Sequence, residues 1–160
     1  MSEYLEGGCT CGTIRYQLTA SPLFVHCCHC RWCQRETGSA FVINVLIETS
    51  HVRLEKGEPV LKRLPSPSGR GQSFARCPDC GLTLWSHYGG MGNKVSFIRG
   101  GTLDEPHLAP PTIHIFTSSK LPWLELKEDI PIMPNFYRRA QYWPKESLER
   151  YKALKDKPAS

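Results

Sequence analysis

Cys77-Pro78-Asp79-Cys80-Gly81 reads as a zinc knuckle: two cysteines flank a tight turn and a glycine follows. One knuckle supplies two ligands of a tetrahedron and needs a second pair. Cys9-Thr10-Cys11-Gly12 is the natural partner, with glycines on both sides that let the backbone fold around an ion. Four thiolates make a closed, structural site. The remaining cluster, Cys28-His29-Cys30-Arg31-Trp32-Cys33, offers three regularly spaced thiolates, with Cys27 adjoining. Three protein ligands and one open position is the arrangement a catalytic zinc requires. The eight cysteines therefore predict two zinc ions per chain, one on Cys9, Cys11, Cys77 and Cys80 and one on Cys28, Cys30 and Cys33.

Each assignment has a competitor. Disulfides are disfavoured where thiols stand adjacent or two residues apart, although long-range bridges stay open. Cys77 and Cys80 could be two buried cysteines in a turn. Cys28, Cys30 and Cys33 could form a redox cluster or a metal store, with labile zinc and reversible oxidation. Cys27 reads as a small buried residue, because alternation along a strand points it away from Cys28. His29 is a candidate fourth ligand, but the same alternation turns its ring away from both flanking thiolates.

The rest of the chain sets the frame. Its 160 residues suit a single domain, 40% of them apolar, and 26 glycines and prolines imply many turns and few long helices. No apolar run approaches the ~18 residues of a membrane helix. The amino terminus shows neither a basic start nor an apolar stretch, so no secretory signal is expected and a reducing, cytoplasmic setting is predicted. Thr13–Leu18 alternates polar and apolar residues as a half-buried strand does. Similar short runs at Phe41–Ile47, His51–Leu54, Val60–Leu64, Val95–Arg99 and Thr112–Phe116 are separated by glycine- and proline-rich turns. The class predicted is mainly β. Arg31–Gly38 is expected to hold a helical turn.

Residues 137–160 differ, with seven basic and three acidic residues of a chain whose net charge is +5. Pro144 suits the first turn of a helix, and Leu148, Tyr151 and Leu154 share one face. We therefore expect a domain over 1–136 and a basic, helical extension over 137–160. The extension either packs its stripe on the domain or contacts a partner. Seven thiolates and two Zn²⁺ lower the net charge to about +2, so nucleic acid is an unlikely partner.

Three groups in order, Gly7-Gly8-Cys9-Thr10-Cys11-Gly12-x-x-Arg15-Tyr16, Cys28-His29-Cys30-x-x-Cys33 with Gly38-Ser39-x-Phe41, and Phe74-x-x-Cys77-x-x-Cys80-Gly81-x-x-Leu84, resemble the glutathione-dependent formaldehyde-activating enzyme family, whose domain is shared with centromere protein V. Gly101-Thr102-Leu103-Asp104, Pro111-x-x-His114-Ile115 and Ser119-Lys120-x-x-Trp123 extend the resemblance downstream. It implies an Mss4-like arrangement of small antiparallel sheets around zinc, with a short C-terminal helix outside it. It also implies the same metal partition, with glutathione as thiol and formaldehyde as aldehyde.

A zinc held by three thiolates is a weak Lewis acid, suited to orienting an incoming thiolate rather than making hydroxide. The expected activity is a carbon–sulfur lyase or synthase joining a thiol to a small aldehyde. The rival is a non-catalytic, zinc-stabilised binding module that contacts a protein or nucleic acid through its basic tail. No general acid or base is assigned. His114 is a candidate for a site role or a structural one; His26, His51, His87 and His107 carry no motif. Arg31 and Arg35 could meet a substrate carboxylate or lie in solvent. Trp123 and Trp143 read as core or docking residues. Nothing in the sequence speaks to oligomeric state.

Overall fold

A computed structural model describes residues 4–158; the outermost residues of the two expected spans, 1–3 and 159–160, lie outside the described residues. The strands are β1 (Leu5–Gly8), β2 (Arg15–Leu18), β3 (Phe24–Cys28), β4 (Val42–Glu48), β5 (Val52–Lys56), β6 (Val60–Leu64), β7 (Gln72–Arg76), β8 (Thr83–Tyr88), β9 (Val95–Arg99) and β10 (Ile113–Ile115). Three α-helices, α1 (Arg31–Thr37), α2 (Arg139–Tyr142) and α3 (Lys145–Lys155), and four single-turn 3-10 helices complete the regular structure of the described residues. The class is mainly β with short C-terminal helices.

A three-stranded sheet runs β1-β2-β5, and a seven-stranded sheet runs β10-β3-β4-β9-β8-β7-β6. The expectation of small antiparallel sheets is corrected in two respects. One sheet is large, and it is mixed, because β10 lies parallel to β3 with His114 opposite Cys27 and Ile115 opposite Cys28. The parallel pairing is open to β10 because most of the chain separates it from β3, whereas a tight hairpin return enforces antiparallel pairing. Two C-terminal helices stand where one was expected, and Pro144 caps α3 from one residue outside it.

Side-chain parity sorts the core into two layers. Val25, Val45, Ile47 and Ile98 face Ile14, Tyr16 and Leu18 beneath the three-stranded sheet. Phe24, Leu46, Val95 and Ile113 face the other way, against Tyr137, Trp143, Tyr151 and Leu154 of the C-terminal segment. Each such aliphatic side chain contributes about 1.5–3 kcal/mol on full burial. The extension is thus docked through its apolar stripe. Arg150 of α3 adds an ion pair with Glu48 of β4 at 2.6 Å, and Lys94 Nζ donates to the carbonyls of Leu154 and Lys157 at the end of α3.

Candidate functional site

The turn between β1 and β2 and the turn between β7 and β8 are built alike. Gly12 N–H donates to the Cys9 carbonyl at 3.2 Å, and Gly81 N–H donates to that of Cys77 at 3.0 Å. Both glycines are left-handed, with φ of 76° and 75°, a conformation a Cβ would strain. Thr13 Oγ1 donates to Asp79 Oδ2 at 2.6 Å and clips one turn to the other. The four thiols they carry, Cys9, Cys11, Cys77 and Cys80, lie within 4.8 Å of one another. Cys9 Sγ is 3.4 Å from Cys11 Sγ, and Cys11 Sγ is 3.6 Å from Cys77 Sγ. Tetrahedral zinc with Zn–S of ~2.3 Å requires S···S of roughly 3.8 Å, so this donor set fits the ion in number, type and spacing. Backbone hydrogen bonding at Leu82 leads the effects that draw the Cys80 thiol down to about 6, toward the thiolate a metal needs.

Cys28, Cys30 and Cys33 form a second close group, and no fourth cysteine, histidine or carboxylate joins it among the described residues. Cys28 ends β3, while Cys30 is the N-cap of α1 and accepts from the Cys33 N–H at 3.3 Å. Cys33 Sγ lies 3.4 Å from Cys28 Sγ, again close to ligand spacing. Hydrogen bonds from Cys28 and Cys33 pull Cys30 down to about 3, and the same sharing pushes Cys28 up. Gln34 Nε2 braces the group, donating to the His29 carbonyl at 2.8 Å and to the Ser119 carbonyl at 2.9 Å.

A third group was not foreseen as a unit. Cys27, His29 and His114 lie together on the opposite side of β3. His29 Nε2 is 3.0 Å from His114 Nδ1 and 3.5 Å from Cys27 Sγ. Burial pushes His29 down to about 4 and also lowers His114, so two neutral rings share one N–H. Burial pushes Cys27 up to about 12, which leaves it an inert thiol. His29 is turned away from the Cys28 group, and the strand register pairs His114 with Cys27 rather than with the open group.

Beside Cys28 and Cys30 opens a cavity of about 500 Å³. Its wall is largely carbon, with Trp32, Tyr88, Phe97, Phe116 and Phe136 as its aromatic members. Trp32 is fixed by its indole N–H, which donates to Gln72 Oε1 at 2.6 Å. Tyr88 meets Phe97 edge-on at 4.7 Å, and burial raises its hydroxyl well above the ordinary tyrosine range, so it stays protonated. Arg31 and Arg139 also line the cavity; Arg35 and Trp123 instead border a shallow groove on the far side of α1. Trp143 is buried, whereas Trp123 is 70% exposed and no core residue. Sequence reasoning missed Tyr88, Phe136, Arg139 and His26 in this wall, for none carries a motif.

A family model, glutathione-dependent formaldehyde-activating enzyme, matches residues 4–119. The chain belongs to that family. The match to the glutathione-dependent formaldehyde-activating enzymes spans all eight cysteines, Tyr88 and His114, and it stops short of Phe136 and Arg139. No curated protein matches the chain. A crystal structure of a Rhodobacter sphaeroides protein is similar over 79% of this chain and 98% of that one, at 14% identity and a TM-score of 0.47. Among the described residues no helix is long and apolar enough to cross a membrane.

Proposed function

We propose that this member of the glutathione-dependent formaldehyde-activating family is a zinc-dependent carbon–sulfur lyase or synthase that forms or cleaves an S-hydroxyalkyl adduct between a thiol and an aldehyde. The observation that carries the reading is a three-thiol group, with Cys28 and Cys30 in the wall of a largely apolar cavity and no fourth protein donor among the described residues. Cys9, Cys11, Cys77 and Cys80 would hold a structural zinc in an Mss4-like arrangement. Cys28, Cys30 and Cys33 would hold a second. When bound there, zinc supplies an open position at which an incoming thiol is kept as thiolate. A binding module has no need of such a position.

The chain's own residues do the rest. The aromatic wall excludes water, which otherwise competes for the carbonyl. In the forward direction the substrate sulfur forms a bond to the carbonyl carbon, and the carbonyl π pair moves to oxygen. Tyr88, protonated and lining the same chamber, is the O–H that delivers the proton to that oxygen, and the proton released by the incoming thiol restores it. In reverse it takes the proton back. The family points to glutathione and formaldehyde as substrates, and the C-terminal segment contributes Arg139 to the wall of the chamber.

The test is native mass spectrometry of zinc-replete protein with and without glutathione, alongside adduct formation followed by NMR. Two zinc ions, a bound thiol lost in Cys30→Ser, and catalysed adduct formation are expected. Adduct formation at the buffer rate with both proteins sinks the reading.

A further inference from the structure

The chamber is large and its lining unusual for the smallest aldehyde. Formaldehyde has two heavy atoms and fills about the space of one or two waters, each ~30 Å³. The chamber holds about 500 Å³, within the range that encloses a compact organic ligand. Its aromatic faces suit a flat, apolar body. Among the residues described as lining it, Arg31 and Arg139 carry positive charge, and no carboxylate lines it. Among the described residues neither arginine has an ion-pair partner. Arg139 instead lies over the rings of Tyr151 at 4.9 Å, Phe136 at 5.5 Å and Trp143 at 5.8 Å, which hold the guanidinium in place without neutralising it. A placed, unpaired guanidinium in a carbon-lined chamber is a receptor for one anionic group.

Backbone strain marks the same wall. Phe116 has φ of 55°, alone among the described non-glycine residues in the left-handed region. A bulky residue there costs of order 1–3 kcal/mol and persists only where its surroundings enforce it. Here the enforcement is local: Phe116 N–H donates to the Asn135 carbonyl at 3.1 Å, next to Phe136. Phe136 and Arg139, which complete this part of the wall, lie beyond the residues matched by the family model.

A zwitterionic tripeptide fits this surface poorly, since its ammonium would find no acid and its amides few partners. The groove on the far side of α1, bordered by Gln34, Arg35 and Trp123, shares Arg31 with the chamber and offers a polar thiol a separate basic surface.

Resting on the thiol–aldehyde reading above, we propose that the chamber receives the aldehyde, and that this aldehyde is an aromatic one bearing an acid group, its ring against the aromatic wall and its carboxylate on Arg139. The reaction balances as above: the thiol sulfur bonds to the aldehyde carbon, the carbonyl oxygen takes the proton of Tyr88, the thiol's proton replaces it there, and nothing is oxidised or reduced.

The experiment uses zinc-replete protein with three probes: 4-carboxybenzaldehyde, benzaldehyde and formaldehyde. Binding without thiol is read by saturation-transfer NMR titration, and adduct formation with glutathione by product NMR. The acid aldehyde is expected to bind at least about tenfold more tightly than benzaldehyde. Arg139→Gln should erase the difference and Arg139→Lys retain part of it, because the charge survives without the fork. If Arg139→Gln does not fold, the lysine variant and the two-probe comparison in the parent protein decide. Equal binding of the two arenes, discrimination that survives Arg139→Gln, or formaldehyde used as well as the acid aldehyde overturns the proposal. Arg139-dependent binding with no turnover of any aldehyde removes the lyase reading and leaves the aromatic acid as the chamber's ligand.

Discussion

Cys27 and Cys28 are neighbours in sequence and face opposite sides of the sheet: Cys28 Sγ lies 3.4 Å from Cys33 Sγ, while Cys27 Sγ lies 3.5 Å from His29 Nε2. Two adjacent thiols therefore belong to different chemistry. Cys28→Ser should lose one of two bound zinc ions and thiol-dependent activity. Cys27→Ser, at a buried thiol pushed up to about 12, should keep both. Metal content by inductively coupled plasma spectrometry separates them, and equal loss from both variants would refute the split.

The closed group differs from the open one in what it holds together. Cys9 and Cys11 sit on one turn and Cys77 and Cys80 on another, so an ion there ties two distant parts of the chain. Structural zinc in small domains contributes on the order of 10 kcal/mol, and Cys77→Ser should unfold the protein or nearly so. Cys30→Ser, at the N-cap of the short α1, should leave the thermal melt largely intact while activity disappears. Comparable melts of the two variants would show that the sites are not functionally distinct.

Tyr88 gives a sharper test of mechanism. Tyr88→Phe removes the hydroxyl and keeps the ring that packs on Phe97. Positioned proton donors contribute roughly 10²–10⁴-fold, so kcat should fall by at least about 10²-fold with thiol binding unchanged. A variant with parental kcat would remove Tyr88 from the reaction.

Arg150 and Glu48 link α3 to β4, and their side chains are 20% and 7% exposed. Burial is the largest single effect and pushes the Glu48 carboxyl up, but the hydrogen bond from Arg150, a backbone hydrogen bond and the charge of Arg150 together outweigh it and hold the group below its ordinary value. The stabilisation is therefore fully present above the ordinary carboxylate value of ~4.3 and is lost as pH falls through the folded value. Arg150→Met should cost about 3–5 kcal/mol at pH 7, since it strands a buried carboxylate. The deficit should narrow on acidification as Glu48 protonates. Denaturant unfolding at several pH values measures it, and a deficit that does not change with pH would contradict the assignment.

Local chemistry was legible in the sequence. Cys-x-Cys and Cys-x-x-Cys spacings bring their own thiols together whatever the rest of the chain does, and alternation is enough to send Cys27 and Cys28 to opposite faces. The strands β2, β4, β5, β6, β9 and β10 were legible as short apolar or alternating runs set between turns. The strands β3, β7 and β8 were not, because burial on both faces erases their alternation: β3 is buried at all five positions. The chamber lay further out of reach. Trp32 follows the cysteine cluster, Tyr88 and Phe97 end or line strands of the large sheet, Phe116 turns out of β10, and Phe136 and Arg139 arrive with the C-terminal segment. Which face a side chain takes is set within a few residues. Which side chains meet across a cavity is set by strand pairing and helix docking over more than a hundred positions, and so the grouping of the cysteines that could hold metal belongs to the sequence while the shape and charge of the chamber belong to the tertiary structure.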